Sequence, residues 1–116
     1  MPNLFLVYSP QAPTSLSNGP PIIELQIDWI GAAIKKMREE GVKYIDARSE
    51  AAVEWREAIQ KMNALTLYPE TDSWYMGANV PGKPREQLIY LGGVDTYARV
   101  TSDALDGWKG FDVVKE

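Results

Sequence analysis

Three places in the chain carry residue types whose spacing could do chemistry. The string Gly77-Ala78-Asn79-Val80-Pro81-Gly82-Lys83 follows G-x-x-x-x-G-K, most of a loop that cradles phosphates on backbone N–H groups. Magnesium binding needs Ser or Thr next, and Pro84 stands there. Pro81 also removes an N–H that such a cradle would use. Polar, irregular sequence precedes the string where a buried strand is required. An NTPase is therefore not expected, and Lys83 keeps a weaker role as a cation near a phosphate-bearing ligand. The second place is the junction over 17–23, where a loop runs into a helix. A helix N-terminus offers free N–H groups and a positive dipole end to an anion or a polarised carbonyl. An ordinary capped helix fits the same residues. The third is the pair Trp74 and Tyr75 in a polar loop, which serves either ligand contact or pinning of the loop by its own aromatics.

The rest of the composition removes most reaction centres. The 116 residues include no His and no Cys. Thiolate chemistry, Cys-ligated metals, disulfides and the Ser-His-Asp and Cys-His devices are all excluded. The carboxylates Glu24, Asp28, Asp46, Asp72, Asp95 and Asp103 are scattered, and no spacing singles out a catalytic pair or a metal cage. No G-x-G-x-x-G occurs, so no complete dinucleotide-binding unit is encoded. Twelve basic against sixteen acidic residues give a net charge of −4, a poor basis for nucleic-acid binding. With 45% hydrophobic and 24% charged residues the composition is that of a folded domain. Neither a signal peptide nor a run of about 20 apolar residues is present, so a soluble, cytoplasmic protein without a membrane span is expected.

The elements that must position these residues are mainly helical. Leu4 to Tyr8 reads as a short strand covered on both faces, as in a parallel sheet, and no parallel partner is in sight. Residues 9–21 form a loop stiffened by Pro10, Pro13, Pro20 and Pro21. A helix follows over about 21–40, with Ser17, Asn18 or Gly19 as N-cap. Its expected inner stripe is Ile23, Ile27, Ile30, Ile34 and Met37, widened by Leu25 and Trp29, and Gly41 ends it. A short extended connector covers Val42 to Ile45. A second helix is expected over about 49–65, capped by Ser49 or Asp46, with Trp55, Ile59, Met62 and Thr66 inward. A third is expected over about 96–106, opened by Asp95, with Tyr97, Val100 and Ala104 inward. Leu88–Leu91 and Phe111–Val114 are strand candidates. The irregular stretch over 66–87 is long for a loop without a task.

Several strings resemble the C-terminal region of Baeyer–Villiger, or class B flavin, monooxygenases. They are Asn3-Leu4-Phe5-Leu6-Val7-Tyr8-Ser9-Pro10-Gln11-Ala12-Pro13-Thr14-Ser15-Leu16-Ser17-Asn18-Gly19, Asp72-Ser73-Trp74-Tyr75-Met76-Gly77-Ala78-Asn79-Val80-Pro81-Gly82-Lys83, Tyr90-Leu91-Gly92-Gly93 and Gly107-Trp108-Lys109-Gly110-Phe111. The resemblance covers the whole chain in order. It implies an α/β fragment, three helices with a few short strands, completing an FAD-binding domain of a flavoprotein with two dinucleotide-binding domains. Residues 1–116 would be the C-terminal part of that domain, with 66–87 as a ligand-contacting loop.

The family uses FAD and NADPH to insert one oxygen atom of O2 beside a ketone carbonyl. Its two dinucleotide-binding units, its fingerprint and its catalytic Arg match nothing in this chain. Carried over residue by residue, Thr14, Ser15 and Leu16 match a loop bordering the substrate pocket. Asn18 and Gly19 match the helix entrance facing the flavin, and Trp74 matches a tryptophan that contacts NADP. No catalytic residue and no metal ligand is implied. The chain alone is expected to be inactive, its partner being the upstream part of the same enzyme. Alternatives of other kinds are a stand-alone binding module derived from the family, and the tail of an enzyme that oxygenates nitrogen or sulfur.

Overall fold

Asn18 leaves the proline-rich loop in an extended conformation, and the next residue begins the longest helix. A computed structural model describes residues 1–115. Helix α1 (Gly19–Glu40) ends at Gly41, whose φ of 65° is the left-handed cap that glycine adopts without strain. Strand β1 (Val42–Ala47) follows, then α2 (Ser49–Asn63), α3 (Val94–Leu105) and β2 (Phe111–Lys115). The strands pair antiparallel, Ala47 opposite Phe111, with an irregularity between Val42 and Tyr44. Three helices and short strands match the expected element types, and 66–87 holds two single 3-10 turns, Tyr68–Glu70 and Trp74–Met76.

Five expectations are corrected, wholly or in part. Leu4–Tyr8 forms no strand. Asn3 takes the free edge of β1 instead: its N–H donates to the Ile45 carbonyl and its Oδ1 accepts from the Ile45 N–H, both at 3.0 Å. Beyond it Leu4, Leu6, Val7 and Tyr8 stay exposed. Leu88–Leu91 is no strand either, although Ile89 and Tyr90 are buried; its backbone bonds go to loops on two sides. The expected stripe on α1 holds only in part: Ile23, Ile30 and Met37, with Leu25 and Trp29, are half-buried, but the most buried positions lie beside it. Ile22 and Ala33 are buried, whereas Ile27 and Ile34 face water. The helix is apolar on more than one face, so spacing alone admits two stripes. The expected N-caps fail for α2 and α3, whereas Asn18 caps α1 as expected. Arg48 is the N-cap of α2 and Gly93 that of α3, and neither they nor Asn18 makes a side-chain cap bond. In α3, Tyr97, Thr101 and Ala104 turn inward and Val100 does not.

Packing gathers at two centres. The first joins Ala33, Val42, Ile45 and Trp108, with Trp29, Phe111 and Leu105 against them. Trp108 closes this centre: its indole N–H donates to Glu40 Oε2 at 2.7 Å, and Lys36 lies 5.5 Å from its ring. The second is Tyr90, stacked on Trp55 at 5.0 Å with an interplanar angle of 4° and met by Tyr97 at 5.5 Å. Helix α3 is fastened to α1 by Gln26 Nε2 donating to the Tyr97 hydroxyl and Trp29 Nε1 donating to the Thr101 carbonyl.

Two outcomes follow from this packing. The indole bond, aided by Lys36, holds the Glu40 carboxyl below the ordinary carboxylate range against partial desolvation. Such a group adds stability above its unfolded pKa and loses it as pH falls through the folded value. In Trp108→Phe the Glu40 titration, followed by NMR, moves back up toward the ordinary range; an unmoved titration excludes the indole as cause. A Cβ on Gly92 would sit 2.5 Å from the Tyr90 hydroxyl oxygen and 2.6 Å from Cζ. Tyr90 cannot retreat from its stack, so Gly92→Ala should destabilise by about 1–3 kcal/mol in urea denaturation.

Candidate functional site

The residues singled out in the sequence fall on two loops that flank one segment. On one side runs the loop that feeds α1. Ala12 and Pro13 are buried in it, and the Ser17 hydroxyl donates to the Pro13 carbonyl, which curls the chain into the helix entrance. Thr14 and Ser15 are half-buried and Leu16 is 67% exposed. The Ser15 Oγ is shielded from water and has no hydrogen-bond partner. An unpaired buried hydroxyl is costly and calls for a partner. Asn18 is exposed with its amide uncommitted to capping. A Cβ at Gly19 would meet the Tyr8 hydroxyl at 3.2 Å, so Tyr8 covers the helix entrance. Of the four leading backbone positions, Pro20 and Pro21 carry no N–H. The Ile22 N–H makes the first intrahelical bond, to the Asn18 carbonyl, which leaves Asn18 and Gly19 as free backbone donors, too few for a phosphate cradle.

On the other side stands the Trp74–Met76 turn. Ser73 starts it by accepting the Tyr75 N–H on its hydroxyl, and Gly77 ends it at a φ of 67°. Met76 is buried beneath the turn while Trp74 is 62% exposed above it, its ring 4.1 Å from that of Tyr75. The Lys83 chain runs over Gly77, with Nζ 3.9 Å from where a Cβ would lie. Arg85 braces the loop, donating to Asp72 Oδ1 at 3.0 Å and to the Thr71 carbonyl. Neither a strand before this string nor a helix directly after it is present, as its departures from a phosphate loop require.

The segment between the loops joins them. Leu88 accepts the Gln11 N–H on its carbonyl and donates its own N–H to the Tyr75 carbonyl at 2.8 Å. Tyr90 N–H donates to the Ala12 carbonyl and Glu86 N–H to that of Met76, each at 3.1 Å. Residues 14–19 and Trp74 are thus set by one segment, and among the described residues no hydrogen bond joins them directly. The sequence offered no sign of this arrangement, nor of a separate apolar cleft of about 570 Å³ lined by Leu4, Phe5, Leu25, Trp29, Tyr97 and Phe111. The Gln26 amide at its wall is already committed to Tyr8 N–H and the Tyr97 hydroxyl. None of Thr14, Ser15, Leu16, Asn18, Gly19 or Trp74 lines the cleft. Among the described residues there is no cluster of three metal-ligating side chains, and no helix is long and apolar enough to cross a membrane.

No protein-family model matches the chain. Individual proteins do. An FAD-binding monooxygenase of Aspergillus aculeatus is 41% identical over 114 residues, which are 98% of this chain and 19% of that protein. A cyclohexanone 1,2-monooxygenase of Acinetobacter is 37% identical over 97% of this chain and 20% of its own length. The crystal structure of cyclohexanone monooxygenase from Rhodococcus sp. Phi1 bound to NADP+ superposes with a TM-score of 0.90 at 35% identity, covering 99% of this chain and 22% of that one. The chain spans about a fifth of the length of the curated relatives it matches. In sequence and in backbone, over almost all of its residues, it closely matches members of the Baeyer–Villiger, class B flavin monooxygenase family.

Proposed function

We propose that this chain serves as the C-terminal part of the FAD-binding domain in an FAD- and NADPH-dependent monooxygenase of Baeyer–Villiger type. The observation that carries the proposal is the match over 98% of the chain to an FAD-binding monooxygenase at 41% identity. The cyclohexanone enzyme among the relatives points to a small ketone as substrate, with O2 as co-substrate and an ester or lactone as product.

FAD supplies the oxygen-transfer chemistry when bound, and the donor set at the α1 entrance fits its ring. The uncommitted amide of Asn18, the N–H of Gly19 and the orphaned hydroxyl of Ser15 are neutral donors suited to ring carbonyls and nitrogens. Thr14, Ser15 and Leu16 border the substrate beside it, Leu16 giving an apolar wall and the hydroxyls a polar one. Trp74 meets the nicotinamide nucleotide: a large flat ring, mostly exposed, on a turn whose underside is buried. Stacking on such a ring binds the nucleotide and keeps water from the reacting centre. The residues of this chain bind, orient and exclude water, and transfer no proton.

Two measurements test this. The isolated chain, supplied with FAD, NADPH, O2 and cyclic or aryl ketones, should show no ketone-dependent NADPH oxidation; turnover would overturn the assignment. In a full-length enzyme carrying these residues, Trp74→Ala should weaken NADP+ binding or uncouple NADPH oxidation from oxygenation, with FAD content preserved. Unchanged affinity and coupling would return Trp74 to a purely structural role.

A further inference from the structure

Two polar side chains are buried among the described residues. Gln87 is 1% exposed and Asn63 5%. Every hydrogen-bonding group of Gln87 is engaged. Its N–H donates to Gln60 Oε1 at 2.9 Å, and its carbonyl accepts from Gln60 Nε2 at 3.0 Å. Its side-chain Nε2 donates to Asn63 Oδ1 at 3.0 Å. Its Oε1 accepts from the N–H groups of Leu88 and Ile89 at 3.1 and 3.3 Å. The Gln60 side chain therefore treats Gln87 as a neighbouring strand would, with one donor and one acceptor.

The partners show what this joint fastens. Gln60 and Asn63 lie three residues apart, on one face at the end of α2. Asn63 Nδ2 reaches Met76 Sδ at 3.6 Å, and Thr66 Oγ1 donates to the Asn63 carbonyl at 2.8 Å. The start of the 66–87 loop, its turn and its end therefore meet at the last turn of α2. On either side of Gln87, the Glu86 and Leu88 N–H groups hold the carbonyls of Met76 and Tyr75. A buried amide network contributes little net stability over apolar packing of the same shape; fully satisfied, it enforces one arrangement.

We propose that Gln87 is a positioning residue: through Gln60 and Asn63 it locks the Trp74–Met76 turn to α2, so that Trp74 is presented to a nicotinamide nucleotide in one orientation. This rests on the nucleotide-contacting role given to Trp74 above. Gln87 touches no substrate and acts only through the turn.

The test uses full-length enzyme carrying these residues, with NADPH and ketone KM, NADP+ affinity, coupling and FAD content measured for Gln87→Leu, Gln87→Glu, Gln60→Leu and Trp74→Ala. Gln87→Leu should raise the KM for NADPH about tenfold, the scale of one unpaired buried amide, with ketone KM and FAD content unchanged. Gln87→Glu keeps the acceptor for Leu88 and Ile89 but loses the donor to Asn63 Oδ1 and buries a carboxylate, so the KM for NADPH should stay raised. Should Gln87→Leu lose FAD, Gln60→Leu decides, since it leaves the Gln87 side chain bonded to Asn63. An NADPH KM unmoved at 87 and 60 but raised by Trp74→Ala overturns the positioning role alone. Equal losses of FAD, ketone and NADPH binding in both Leu variants overturn it as well. Trp74→Ala without effect on nucleotide affinity removes the role of Trp74, and this proposal with it.

Discussion

The peptide groups at Leu88 govern the arrangement of both candidate loops. The Leu88 carbonyl takes the Gln11 N–H and its N–H takes the Tyr75 carbonyl, so a single residue is bonded left and right. No strand forms there, and the two bonds from one residue go to two different loops. Buried backbone groups must be paired, and here loops supply the partners that a ladder would otherwise give. A shift of the proline-rich loop costs the Leu88 carbonyl its Gln11 partner, and a shift of the Trp74 turn leaves the Leu88 N–H with the longer bond to Gln87 Oε1 alone. The Trp55–Tyr90 stack fixes the same segment two residues later, with Gly92 stepping aside for the hydroxyl.

A second constraint concerns what the chain leaves uncovered. Ile27 is 53% exposed and Leu6 65%, in a molecule whose radius of gyration is 15.4 Å against about 13 Å for a compact chain of this length. Helix α1 spends one apolar face on β1, β2 and α3 and turns another to water. A surface of that kind is the sort that proteins bury against something else. Under the proposed function the remainder of a monooxygenase covers it, and the exposed Leu4–Tyr8 run has the composition to join a sheet there.

Local signals made the elements legible, and long-range pairing hid the rest. Gly41 and the charged last turn mark the end of α1, and the Trp55, Ile59, Met62 spacing marks the buried face of α2. The apolar run Leu4–Tyr8 reports a wish for burial but cannot report whether a ladder partner exists. In α1 the isoleucines and the Ile22, Trp29, Ala33 set have the same helical period, and only the packing partner selects between them. Tyr90 is buried without being in a strand, because its neighbours are loops. The polar joint of Gln60, Asn63 and Gln87 was invisible, since Gln and Asn on a helix read as surface until their partners 24 to 27 residues away are known. The helix entrance at 17–23 and Trp74 stood out by residue type, whereas Thr14, Ser15 and Leu16 rested on the family strings alone. They are binding groups, and binding groups have no spacing rule comparable to a catalytic triad.

The four tryptophans differ sharply in their surroundings: Trp108 is 7% exposed, Trp29 and Trp55 are half-buried, and Trp74 is 62% exposed on its turn. Indole emission follows the polarity around the ring, and aqueous quenchers reach only rings that water reaches. The molecule thus carries its own optical label on the one loop whose position matters most. Light emitted at the red edge and lost to iodide reports the Trp74 turn alone, while the blue, protected remainder reports whether the core beneath it is intact.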